Sequence, residues 1–198
     1  MVPADPRPDV DLYLHVRVLI SMILGLSVTR LVGGVAKIIL RPDRDRIWPI
    51  HLGWVAWALF NVITFWWWEF QLSRITHWTF AVYVFVCLYA SMYFLLASLL
   101  FPDDLAGYDT YQDYFLARRA WFFGVLAVTE ALDVVDSWIK GAEHLDFLGT
   151  AYLIEVAGFI GLCLVAMRIR SLKFHAAFVI GALAYEASFF GRYMENLR

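Results

Sequence analysis

The chain has 198 residues, of which 62% are hydrophobic and 17% charged, and its formal net charge at pH 7 is −2. A soluble domain is typically about half apolar and a quarter charged, so this composition lacks the polar surface a water-soluble fold needs. It excludes a disordered chain, and the near-neutral charge excludes a nucleic-acid binder, which leaves an integral membrane protein.

A helix that crosses a bilayer needs about 20 apolar residues, because the hydrocarbon is about 30 Å thick and the helical rise about 1.5 Å. Six stretches qualify, at 14–40, 50–72, 78–101, 118–140, 148–168 and 174–194. The N-terminal MVPADPRPDVD carries three acids and three prolines. It lacks the basic region of a signal peptide, so the first run is expected to be a retained span. The spans are separated by polar, turn-like breaks: RPDRDR, QLSRITH, FPDD, KGAEHLD and RIRSLK. No segments alternate strictly between apolar and polar as barrel strands do. The expectation is an all-α bundle of six transmembrane helices, a single domain over 1–198. Cys87 and Cys163 fall inside apolar runs and read as small core residues.

Tryptophans support this frame. Trp48, Trp78, Trp121 and Trp138 fall at span ends, where the amphipathic ring favours the headgroup layer. The run Trp66–Trp68 closes the second span and reads as an interfacial anchor, with a surface for a pigment or quinone as the alternative. Six spans place both termini on one face. The loops of the opposite face carry Arg41, Arg44, Arg46, Arg118, Arg119, Arg168, Arg170 and Lys173. The terminal face carries Arg7, Arg17, Arg74, Lys140, Arg192 and Arg198. The positive-inside rule then puts the termini outside the cytoplasm, in a bacterial inner membrane.

Within a bilayer, helices associate through close packing of small residues. The first span has Ser21, Gly25, Thr29 and Gly33 at intervals of four, and the sixth has Ala177, Gly181, Ala184 and Ser188 at intervals of four and three. Either stripe suits a homo-oligomer interface or packing within one bundle.

Ionisable residues inside spans are costly and mark functional sites by default. The fourth span reads TEALDVVDSW, with Glu130, Asp133 and Asp136 three residues apart on one broad face. Glu69 closes the second span, Glu155 lies in the fifth and Glu186 in the sixth. Facing inward, these acids would line a cavity open to the terminal face, suited to a cation or to protons. Arg30 lies ten residues from Leu40 and Glu130 ten from Lys140, offsets of about 15 Å each, so the two are expected to meet as an ion pair near the midplane.

No catalytic residues, cofactor or metal are expected. The histidines His15, His51, His77, His144 and His175 all sit at span ends, and no Glu-x-x-His pair of a di-iron bundle occurs. No serine or cysteine has an evident base, and no phosphate loop is present. The leading expectation is a membrane protein that conducts, transports or senses a cation or proton. A scaffold with structural charges, and a membrane enzyme with a lipid-like substrate, are the alternatives.

The segments ISMILGLSVTRLVGGVAKII, WVAWALFNVITFWWWEF, LLFPDD and ARRAWFFG together resemble a group of small bacterial multi-pass membrane proteins, a resemblance that covers most of the chain and implies no function. Size, span count, the aromatic segment Trp48–Phe70 and LLFPDD are also similar to bacterial relatives of the lysosomal potassium channel. That similarity implies a tetrameric channel with its first helix lining the pore. Those channels carry a Phe-Ser-Asp motif in the first span, where this chain reads Leu26-Ser27-Val28 with Arg30 beyond.

Overall fold

Three of the helices begin where the sequence supplies a start signal. Pro49, whose missing N–H is no loss in a first turn, opens the second helix. Thr79 caps the third by accepting from the Val82 N–H at 3.2 Å. Thr110 caps the fourth by accepting from the Asp113 N–H at 3.1 Å and donating to the Asp113 carboxylate at 2.7 Å. This reciprocal arrangement satisfies a terminal donor and places an acid at the positive end of the helix dipole.

A computed structural model of the protein describes residues 7–40, 48–75, 78–105 and 107–194. Its helices are α1 (Arg7–Leu40), α2 (Pro49–Trp68), α3 (Phe80–Leu100), α4 (Tyr111–Ile139), α5 (Ala142–Ala166) and α6 (Leu172–Met194). A 3-10 segment, Glu69–Arg74, extends α2. The described residues form no strand, and the fold is all-helical. α5 breaks at Gly149, whose φ of 74° lies in the left-handed region open to glycine at little steric cost.

Four segments are long and apolar enough to cross a membrane: Leu12–Leu40, Pro49–Ser73, Phe80–Leu100 and Glu143–Ala166. α4 and α6 carry charges that set them apart. The N-terminal half of α4 buries apolar residues, among them Phe115, Phe122, Phe123 and Leu126. Its C-terminal half buries Thr129, Asp136 and Ser137 and exposes Val128, Val135 and Trp138, which inverts there the amphipathicity of a helix on a water-soluble domain.

α2 lies at the centre, packed against α1, α3, α4 and α6. The row α1, α3, α4, α5 wraps around it, and α5 meets α6 only sparsely. The core beside α2 is aromatic: Trp54 is fully buried with edge-on contacts to Phe122, Phe123 and Phe178 at 5.1–5.4 Å between centroids. Such T-shaped pairs match ring edges to ring faces and add to the burial of large apolar surfaces.

A second close contact is between α1 and the end of α3. A methyl group on Gly34 would fall 2.2 Å from the Phe101 ring. Phe101 is held in turn by the edges of His51 and Tyr111. His51 is buried and donates from Nε2 to the Leu100 carbonyl at 2.8 Å, so it satisfies a C-terminal carbonyl of α3 that has no intrahelical partner.

Gly34→Ala should therefore cost about 1–3 kcal/mol through overpacking. Gly33→Ala meets nothing within 4 Å and should be neutral or stabilising. Thermal unfolding of the two variants in detergent checks this; equal midpoints would contradict the α1–Phe101 contact.

Candidate functional site

α4 is the element that builds the site. Glu130, Asp133, Asp136 and Lys140 follow at steps of three, three and four, which keeps them on one face over about 15 Å of helix. That face fronts a half-enclosed cavity of about 940 Å³ between α2, α3, α4, α5 and α6. Glu69, Glu155 and Glu186 line the same cavity, so all six acids singled out from the sequence come together around one space.

Each carboxylate is held differently. Asp133 accepts from the Tyr89 hydroxyl at 3.0 Å and from the Tyr152 hydroxyl at 2.6 Å. Ser137 lies 3.2 Å from that Tyr152 oxygen. Glu155 accepts from the Tyr185 hydroxyl at 2.7 Å, and Glu186 from the Asn61 amide at 3.2 Å. Glu69 and Asp136 share Lys140, whose ammonium is 2.9 Å from one and 2.5 Å from the other. The Lys140 side chain is only 4% exposed, so this is a buried ion triad. One oxygen of Glu69 and one of Asp136 remain buried without a hydrogen-bond partner. Glu130 forms no hydrogen bond or ion pair to any described residue; its electrostatic neighbours are Asp133 and Glu186, both acids.

Neutral donors serve Asp133, Glu155 and Glu186, and one ammonium serves Glu69 and Asp136. Burying several ionised carboxylates without compensation costs several kcal/mol each, so this arrangement requires bound protons, water or cations in the cavity.

Trp66–Trp68 divide between two tasks. Trp66 donates to the Ser21 hydroxyl at 3.0 Å, with the Arg17 guanidinium 5.5 Å from its ring centre, so it fastens α2 to α1. Trp67 and Trp68 line the cavity, and Trp68 lies 6.3 Å from the His144 ring. Of the small-residue stripes, Ala177 and Gly181 line the cavity, and Ala184 and Ser188 are exposed on the same helix. On α1, Ser21 faces Trp66, Gly25 and Thr29 are exposed and Gly33 is half-buried, and a methyl group on either glycine would meet nothing within 4 Å.

The expected Arg30–Glu130 pair does not form. Arg30 donates from Nε to the Phe101 carbonyl at 2.9 Å, and its Nη1 lies 2.7 Å from Asp103. α3 ends beside Arg30, so the α3–α4 connection lies at its depth, and the depth frame that took Leu40 as the end of the span is displaced. Arg30 thus satisfies the C-terminal backbone of α3 together with His51. Asp103 is 88% exposed, which limits the worth of its pairing to about 1 kcal/mol or less.

In the sequence Lys140 reads as a loop residue, and no spacing marks Tyr89, Tyr152, Tyr185 or Asn61 as site residues. The spacing Asp136-x-x-x-Lys140 is the signal for the first, since such residues adjoin on a helix. His77, Arg41, Arg44, Arg46 and Arg198 lie outside the described residues. Among the described residues, no three His, Cys, Asp or Glu side chains are grouped to hold a metal ion. Comparison with protein-family models, curated proteins and solved structures finds no match to this chain.

Lys140→Met should cost about 3–5 kcal/mol, because it leaves Glu69 and Asp136 facing each other without a counter-charge. Adding Glu69→Gln and Asp136→Asn should recover most of that loss. Arg30→Leu and Glu130→Leu should be additive to within about 0.5 kcal/mol, as expected for sites without shared partners. Unfolding in mixed micelles measures both; strong coupling between Arg30 and Glu130 would contradict the assignment of Arg30 to Asp103.

Proposed function

We propose that this chain is a six-span membrane protein that carries protons or cations through its acid-lined cavity. The observation that supports this best is the convergence of six carboxylates, from four helices, on one large space in which Lys140 is the one described cation. Ion pathways in membranes are built in this way, because fixed negative charge and hydroxyl groups replace part of a cation's hydration. The steps along α4 set acids at about 5 Å intervals of depth, a spacing that water molecules or carboxyl-to-carboxyl relays can bridge.

In this reading α4 and α6 cross the bilayer with the other four helices, since their charged faces turn to the cavity and their apolar faces to lipid. The basic loops put the termini on the non-cytoplasmic side of a bacterial inner membrane. The small-residue stripe on α1 serves a homo-oligomer, as small residues let neighbouring backbones approach. A scaffold whose charges only hold the bundle together would place the acids in paired, dry contacts, whereas Glu130 has no partner and fronts open space.

Purified protein in liposomes should show flux of potassium, sodium or protons above that of empty vesicles. The triple variant Glu130→Gln, Asp133→Asn, Asp136→Asn should reduce it at least tenfold. Flux absent from the native protein, or unchanged in the triple variant, would overturn this function. Gly25→Leu should lower the mass of the detergent complex measured by light scattering, and an unchanged mass would place any interface elsewhere.

A further inference from the structure

The cavity is larger and more apolar than a pathway for bare ions requires. Its volume of about 940 Å³ falls in the upper part of the range of small-molecule sites, roughly 300–1,000 Å³. Between the carboxylates its walls are aromatic: Tyr93, Phe159 and Phe178 lie alongside Trp67 and Trp68. A site for an inorganic ion gathers oxygen ligands into a tight shell. Here the acids are spread along the walls, and no three of the described ones are grouped to hold a metal.

Two further features indicate what would fill this space. Glu69 and Asp136 are 5% and 1% exposed, and each keeps one buried oxygen without a hydrogen-bond partner beside Lys140. Glu130, deeper along α4, has no partner for either oxygen among the described residues. The donors that line the cavity are committed to the other acids, so at Glu130 the described residues supply acceptors and negative charge and no donor. The cavity is also not sealed. Lining residues on α2, α5 and α6 are strongly exposed, among them Trp67 at 61% and Ile154 at 74%, and Gly158 and Gly181 leave little bulk between α5 and α6. An opening framed by apolar, outward-facing residues of spanning helices communicates with lipid and admits a molecule already dissolved in the bilayer.

We propose that the cavity binds a hydrophobic organic cation, a monovalent ammonium or phosphonium group on an aromatic or alkyl body, which enters between α5 and α6 and sets its charge against Glu130. This rests on the reading of the cavity as a cation site and names the class of cation. The aromatic walls serve the charge as well as the body, since a cation over a ring face is attracted by the ring quadrupole, more strongly where water is excluded. Lys140 neutralises Glu69 and Asp136 at the far end of the α4 row, which leaves Glu130 as the unclaimed counter-charge.

The test is equilibrium binding of tetraphenylphosphonium to the full chain in detergent, with triphenylphosphine oxide as a neutral probe of similar shape. The expected result is saturable binding of one phosphonium per chain, at least tenfold tighter than the neutral probe. Glu130→Gln should weaken phosphonium binding at least tenfold. Gly181→Leu, which adds bulk at the opening and leaves every acid in place, should also weaken or slow it. If Glu130→Gln fails to fold, the comparison of the two probes on the native protein decides. Equal binding of both probes, or no phosphonium binding, would overturn the inference. Liposome flux of protons or inorganic cations by a protein that binds no phosphonium would overturn this inference and leave the proposed function standing. Absence of both would overturn the two together.

Discussion

The structure depends on how a helical bundle with an apolar exterior keeps six carboxylates inside. In water these groups would be solvated at no cost, but in a bundle interior each must find a donor, a counter-charge or a proton. The chain answers residue by residue: tyrosine hydroxyls for Asp133 and Glu155, an asparagine amide for Glu186, and one lysine between Glu69 and Asp136. Tyrosine suits this task, because its ring packs among apolar neighbours while its hydroxyl reaches the acid. Glu130 is left outside this scheme, and it is the acid that lies deepest along α4 relative to Lys140.

This constraint also explains the arrangement of the helices. α2 lies at the centre and brings both its aromatic face and Asn61 to the interior, while α4 turns its acids in and Trp121, Val128 and Trp138 out. The Trp54 cluster fills the bundle beside the cavity, and the sparse contact between α5 and α6 leaves room beside the acids. Close packing and open volume are therefore segregated, the first around Trp54, along α1–α3 and between α4 and α5, the second beside the acids where α5 and α6 part.

Much of this was legible in the sequence because it depends on period and composition. The helices follow from apolar runs with Pro49, Thr79 and Thr110 at their starts, and the shared face of Glu130, Asp133 and Asp136 follows from steps of three. What depends on relative depth was not legible. Counting from helix ends matches Arg30 to Glu130, yet α1 has 34 residues, about 51 Å of helix, well beyond the thickness of a hydrocarbon core, so its end is no gauge of depth. Phe101 and Asp103 reach Arg30 because α3 is shorter than α1. Lys140, next to a glycine turn, reads as a loop residue, and only its step of four from Asp136 indicates otherwise.

The central claim is that the α4 row faces a water-accessible, negatively charged cavity while the opposite face of α4 meets lipid. Cysteine accessibility tests it most directly, with Cys87 and Cys163 replaced by alanine and single cysteines placed at 130, 133, 131 and 135. The account predicts that a small cationic thiol reagent modifies positions 130 and 133 at least tenfold faster than an anionic reagent of the same size, and leaves 131 and 135 unmodified. Modification of 131 and 135 in preference to 130 and 133, or equal rates for the two reagents at 130, would contradict it.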